Sequence, residues 1–294
     1  MFEGFSDQRI EVSEGVGLRT RIAGSGPPVL LLHGYPQTHH CWHKVAPQMV
    51  KAGFTVVVSD LRGYGDSDKP VSCESHETYS KRAMAADQVE LMARHGFSRF
   101  SIAGHDRGGR VAHRLGLDYP EAVERMAVLD IAPTATMYER TNKDFATGYY
   151  HWFFLIQPAP LPERLIGGDP SFYLRSNLAA WSKGNTAAFT DAAVAEYIRC
   201  FNDASCIAAT CEDYRAAATI DLAHDAEDAE KRLQMPLLAL WGAKGLVHKL
   251  YDVAGVWREK ATNVEGAGLA CGHFLPEEAA DDTSAALIEF FKRG

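Results

Sequence analysis

The stretch FSIAGHDRGGRVAHRLGLDYP, residues 100–120, decides the fold. Residues 100–103 form a short apolar run that reads as a strand, and the sequence from Arg107 onward reads as a helix. Between them, Gly104-His105-Asp106-Arg107-Gly108 places one reactive side chain among small neighbours. Strand, tight glycine-flanked turn and helix make an elbow that exposes its central residue. That residue is usually serine; here it is Asp106. The plainer use of Asp106 would be to cap the following helix. The glycines on both sides and the strand before it favour the elbow.

Working outward, residues 29–32, 55–59, 126–129 and 237–241 are further aliphatic or β-branched runs. They alternate with longer amphipathic stretches, the pattern of a mostly parallel sheet flanked by helices. In such sheets ligands bind at the carboxyl ends of the strands. From Pro133 to about Asp225 the rhythm changes: GYYHWFFLIQPAPLPERLIGGDP is aromatic and broken by Pro and Gly, and no strand run follows until MPLLALWG. The expected organisation is an α/β core domain of residues 1–135 and 226–294, with residues 136–225 inserted as a helical cap.

Composition narrows the function. The 294 residues carry 30 Lys and Arg against 38 Asp and Glu, a net charge of -8, which disfavours a general nucleic-acid or membrane-surface role. The six cysteines show no CxxC pair and no spacing suited to zinc, so no structural metal is expected. The opening MFEGFSDQRI lacks the features of a signal peptide, and no apolar run is long enough to span a membrane. These features lead us to expect a cytoplasmic protein with reduced thiols.

A nucleophile needs partners. His273, in Cys-Gly-His-Phe ahead of the last helical stretch, follows Asp106 in the chain order that this elbow requires. The usual position for an orienting acid, after Leu240-Trp241-Gly242, holds Ala243-Lys244-Gly245 and no carboxylate. Asp130, at the carboxyl end of MAVLD, fills that role instead, although an Asp there could also be a plain turn residue. His33-Gly34-Tyr35-Pro36 follows the first buried run, where the backbone N–H of Tyr35, with that of Arg107, would form an oxyanion hole.

A carboxylate is ionised at neutral pH without a base. On a carbonyl it would form a labile anhydride, whereas on saturated carbon it displaces a leaving group and leaves an ester that activated water can cleave. Arg107 and Arg110, three residues apart, lie on one helical face beside Asp106 and could hold a substrate carboxylate. Alone they read equally well as surface charge pairs; next to this nucleophile they point to a 2-haloacid. His151 and Trp152 in the cap, and Tyr214 in CEDYR, could donate hydrogen bonds to a departing halide, although aromatics in a cap are more often packing.

Taken together, MFEGF, LLLHGYPQTHHCWHKVAP, DLRGYGDSDKP, GHDRGGR, AVLDIAPT, HWFFLIQPAPLPE, DYRA and GHFLPEE resemble the haloacetate dehalogenases of the α/β-hydrolase fold, above all the fluoroacetate dehalogenases, over nearly the whole chain. The resemblance implies Asp106 as nucleophile, His273 as base and Asp130 as its acid. It also implies Arg107 and Arg110 on the substrate carboxylate and His151, Trp152 and Tyr214 on the halide. A homodimer without cofactor is implied too. The chain departs from the family at Tyr35, where Phe is usual, and in PTATMYERT, which carries fewer aromatics than expected. Epoxide hydrolases share the triad, but they resemble GHDWG where Arg107 stands here. A binding protein that reuses the scaffold without turnover would be expected to lose a triad member.

Overall fold

Residues 29–32 and 56–58 are wholly buried, each with neighbours on both faces, which is why these stretches are continuous runs of Val and Leu and do not alternate. In the computed structural model, which describes residues 1–293, they lie at the centre of one eight-stranded sheet. The strands are β1 (Ser6–Ser13), β2 (Val16–Ala23), β3 (Pro28–Leu32), β4 (Thr55–Ser59), β5 (Phe100–His105), β6 (Val123–Leu129), β7 (Leu237–Gly242) and β8 (Val264–Leu269). Their order is β1-β2-β4-β3-β5-β6-β7-β8. The β1–β2 and β2–β4 pairs are antiparallel and the others parallel. This is an α/β-hydrolase fold.

Three strands lay outside the sequence expectation. β1 and β2 are a polar hairpin at the sheet edge, SDQRIEVS and VGLRTRIA, with few buried positions on β1. β8, VEGAGL, is half exposed and contains Gly266 and Gly268, against which the Trp241 ring packs. Edge strands with one wet face lack the apolar run that marks a buried strand.

The named elements between β6 and β7 are all helices, from the helix Thr134–Glu139 to the helix Ile220–Glu227. The intervening helices include Lys143–Gly148, His151–Phe154, Pro170–Trp181, Asp191–Phe201 and Ala204–Ala218. Their packing comes largely from aromatics: Phe145, Trp152, Tyr197 and Tyr214 are all buried. All six cysteines are free. No described helix is long and apolar enough to cross a membrane. Because β3, β5 and β6 are parallel neighbours, the loops that follow them open at one edge of the sheet, beneath these helices.

Candidate active site

Asp106 follows β5 with φ 47 and ψ -112, a backbone setting that few non-glycine residues adopt, and the helix Arg107–Asp118 starts at the next residue. Its surroundings explain the glycines. A Cβ on Gly104 would lie 2.3 Å from the Gly108 carbonyl oxygen, and one on Gly34 would lie 2.4 Å from the Asp106 Cβ. The turn therefore closes only with glycine at both places. Asp106 is 7% exposed, and its Oδ1 accepts the Tyr35 backbone N–H at 3.0 Å. The Arg107 N–H, the other donor expected for an oxyanion hole, has no backbone partner among the described residues. Burial alone would raise the Asp106 pKa; the charges of His273, Arg110 and Arg107 outweigh it and pull the group down to about 2.

Asp130 directly follows the next strand, β6, with φ 52. Its Oδ1 accepts the Gly242 N–H at 2.9 Å and its Oδ2 lies 2.6 Å from His273 Nδ1. Since a carboxylate can only accept, His273 Nδ1 donates and Nε2 is left as the basic atom. Burial opposes a charge on His273, but the Asp130 hydrogen bond and the charges of Asp130 and Asp106 leave its pKa raised. The histidine's own backbone is also held: its N–H donates to the Trp181 carbonyl at 3.0 Å, and His105 Nε2 lies 2.8 Å from its carbonyl oxygen. Burial, with His273 beside it, drives His105 down to about 3. A neutral His105 must therefore carry its proton on Nε2 to make that contact.

The two arginines occupy different settings, which the helical spacing could not reveal. Arg107 is fully buried and two of its nitrogens are already engaged: Nε donates to Asp213 Oδ2 at 2.8 Å and Nη2 to Oδ1 at 2.6 Å. Its guanidinium lies 4.1 Å from the centre of the Tyr214 ring, and Nη1 is left buried without a partner. Burial works against its charge, but Asp213 more than offsets this and holds the group firmly protonated. Arg110 donates through Nη1 to Ala132 O at 3.1 Å and Thr134 Oγ1 at 2.9 Å, and stacks 4.7 Å from the Trp152 ring centre. Its Nε has no partner. Each arginine thus keeps a spare donor rather than a whole fork.

Asp213 is the group that sequence reasoning missed, although it stands next to Tyr214 in CEDYR. Fully buried, it also accepts from Lys81 Nζ and, at 2.6 Å, from the Tyr64 hydroxyl. Breaking a buried pair from one side leaves an uncompensated charge. Asp213→Asn is therefore expected to destabilise the protein by about 3–5 kcal/mol, read as a fall in the denaturant midpoint, and an unchanged midpoint would mean that Arg107 has another anchor.

Side chains from the helices between β6 and β7 pack over these groups. His151 Nδ1 and the Tyr214 hydroxyl are both buried without partners, with their rings 5.6 Å apart. Burial pushes His151 down to about 3 despite Asp106 nearby, so it is neutral. Burial, and then the charge of Asp106, raises the Tyr214 pKa well above its ordinary value, so it remains a donor. Trp152 packs 6.3 Å from the Tyr214 ring. Tyr35 belongs to the same cluster, with its ring 5.3 Å from Tyr214 and 6.1 Å from His151. Tyr149 and Trp181, not singled out in the sequence, complete the wall: the Tyr149 hydroxyl lies 3.3 Å from His273 Nδ1 and the Trp181 ring 5.8 Å from the His273 ring. Elsewhere Asp66, Glu196 and Cys200 come together as metal-ligand types, but Arg199 Nη2 binds Asp66 at 2.7 Å and Glu196 at 2.6 Å, supplying a cation to that cluster.

Comparison with known proteins agrees with this architecture. The chain is 44% identical to a fluoroacetate dehalogenase from Burkholderia sp, over 99% of this chain and 95% of that protein. It is 34% identical to a soluble epoxide hydrolase from Corynebacterium sp. (strain C12), over 92% and 91%. A crystal structure from Nostoc sp PCC 7120, described at the level of the α/β hydrolase, superposes with a TM-score of 0.97 at 54% identity, covering 99% of both chains. The family model for the alpha/beta hydrolase fold matches residues 27–280, and the chain belongs to that family.

Proposed function

We propose that the protein is a cytoplasmic haloacetate dehalogenase that hydrolyses fluoroacetate and chloroacetate to glycolate and halide. The observation that carries this reading is an ionised elbow carboxylate beside two buried arginines, each with an unused donor. A buried cation without its full set of partners is costly unless an anion completes it. Here the missing anion is the substrate carboxylate, received by Arg107 Nη1 and Arg110 Nε.

In this scheme the substrate α-carbon faces the Asp106 oxygen that Tyr35 does not hold. That oxygen forms a bond to carbon as the carbon–halogen bond breaks, and the halide leaves with the electron pair toward His151, Trp152 and Tyr214. His273 Nε2 then takes a proton from water, whose oxygen attacks the ester carbonyl carbon of Asp106. The oxyanion gathers on Oδ1, where the Tyr35 N–H already points. Glycolate departs with the proton returned by His273, and no cofactor is consumed.

Protonated His273 cannot serve as base, so ester hydrolysis is expected to rise with pH through the histidine's pKa. In the free enzyme that pKa lies above the ordinary value of about 6.5, held up partly by Asp106. Once Asp106 is esterified its charge is gone, so the limb in kcat should fall at lower pH than the free-enzyme pKa measured by NMR. Equal values in the two experiments would mean that the two groups do not interact.

Epoxide hydrolysis is the second reading, favoured by the Corynebacterium relative and by a Tyr214 hydroxyl that stays protonated to serve an opening epoxide oxygen. Two arginines contribute little to binding a neutral epoxide. Ion chromatography of halide from fluoroacetate and chloroacetate, with styrene oxide hydrolysis assayed on the same preparation, separates the two. Halide release supports the haloacid reading; diol formation alone would overturn it while keeping the triad. We also propose a homodimer formed through the cap, where Leu165 and Phe172 are 62% and 70% exposed.

A further inference from the structure

A cavity of about 270 Å³ leads from the surface to His273, walled by Tyr149, Tyr150, Trp181 and Leu246. Lys183 is its one permanent cation, and none of the residues lining it is a carboxylate.

The backbone at this point supplies a second observation. The helix Pro170–Trp181 ends at Ser182, and Lys183 follows with φ 55, in the left-handed region, before Gly184 at φ 83. Gly184 N–H donates to Ala179 O at 2.8 Å, which completes the helix end. Glycine or asparagine suits the first position past a helix, and lysine there carries backbone strain. The same turn is bonded to the base: Trp181 O accepts the His273 N–H at 3.0 Å, and a Cβ on Gly272 would meet that oxygen at 2.6 Å. The turn that carries Lys183 is thus held to the backbone of His273, and the exposed lysine stands at the rim of a passage that His273 lines.

We propose that Lys183 is an outer anion site, which captures the haloacid carboxylate at the mouth of this cavity and passes it inward to Arg107 and Arg110. This rests on the haloacid reading for its physiological ligand; the geometry of the mouth stands apart from it. An exposed lysine attracts a small anion over about a Debye length and adds nothing to the chemical step. It therefore acts on KM and leaves kcat alone.

Trp181, in the cavity wall, reports anion access without any turnover. In Lys183→Glu, quenching of tryptophan fluorescence by iodide at low ionic strength should weaken roughly twofold, with quenching by neutral acrylamide unchanged. The difference should vanish when Trp181→Phe is added. In the assay, KM for chloroacetate should rise roughly threefold at low salt, with kcat unaltered, and the gap should close at high salt. Lys183→Gln should lie between the two. Iodide quenching that matches wild type, or iodide and acrylamide shifting together, would overturn the anion site. A wild-type enzyme that releases no halide would instead overturn the haloacid reading, and the iodide comparison would still decide the role of Lys183.

Discussion

His273→Asn enzyme mixed with chloroacetate is expected to release one chloride per active site and then stop. The first step needs an anion and a leaving group, and Asp106 is ionised by its surroundings, with a pKa of about 2. Removing the imidazole removes one of the charges that lower that value, but Arg110 and Arg107 remain. The second step has no other base: Asp130 is committed to Gly242 N–H, and His105, at about 3, has its Nε2 proton engaged with the His273 carbonyl. Turnover should fall by roughly 10³-fold or more. Mass spectrometry of the peptide containing Asp106 should then show one added carboxymethyl group. Chloride release without that adduct would mean that water attacks the substrate directly.

Asp106→Ala is expected to lose turnover by about 10⁴-fold or more, because no other carboxylate in the site occupies an elbow. Its effect on binding should run the other way. In the proposed scheme Asp106 repels an anionic substrate while Arg107 and Arg110 attract it, and removing the repulsion leaves the arginines in place, since Arg107 is anchored by Asp213 and Arg110 by Ala132 and Thr134. Calorimetry should therefore find haloacetate bound at least as tightly as by the wild type. Loss of binding together with turnover would show that Asp106 shapes the pocket rather than attacking the substrate.

These two outcomes rest on residues that could be read from the sequence for physical reasons. Asp106 stood out because a reactive side chain between glycines, after a buried strand, has few structural uses. Asp130 stood out by contrast with Ala243-Lys244-Gly245, and the structure gives the reason: the Gly242 N–H at the end of β7 is itself a donor to Asp130. β3, β4 and the buried halves of β5, β6 and β7 were legible because burial on both faces demands unbroken aliphatic runs. β1, β2 and β8 were not, since a partly exposed edge strand accepts polar residues and glycine.

The division of labour between the arginines was not legible either. Spacing of three placed Arg107 and Arg110 on one helical face, but what each touches is decided by residues distant in sequence. Asp213, 106 positions from Arg107, takes two of its nitrogens. Lys81 arrives at the same carboxylate from 132 positions away. Nothing local in the sequence announces such a network. Tyr35 shows the reverse case: its place in HGYP located its backbone donor, while the contact of its ring with Tyr214 emerged only from the fold.

The central claim is that an oxygen of Asp106, not of water, forms the new bond to carbon. A single turnover in H₂¹⁸O, with enzyme in excess over chloroacetate, tests it most directly. If water attacks the ester at the Asp106 carbonyl carbon, as proposed, the first glycolate carries ordinary oxygen in its hydroxyl and the label appears in the Asp106 peptide. Label in the first glycolate and none in Asp106 would contradict the account, leaving the carboxylate as a base rather than a nucleophile.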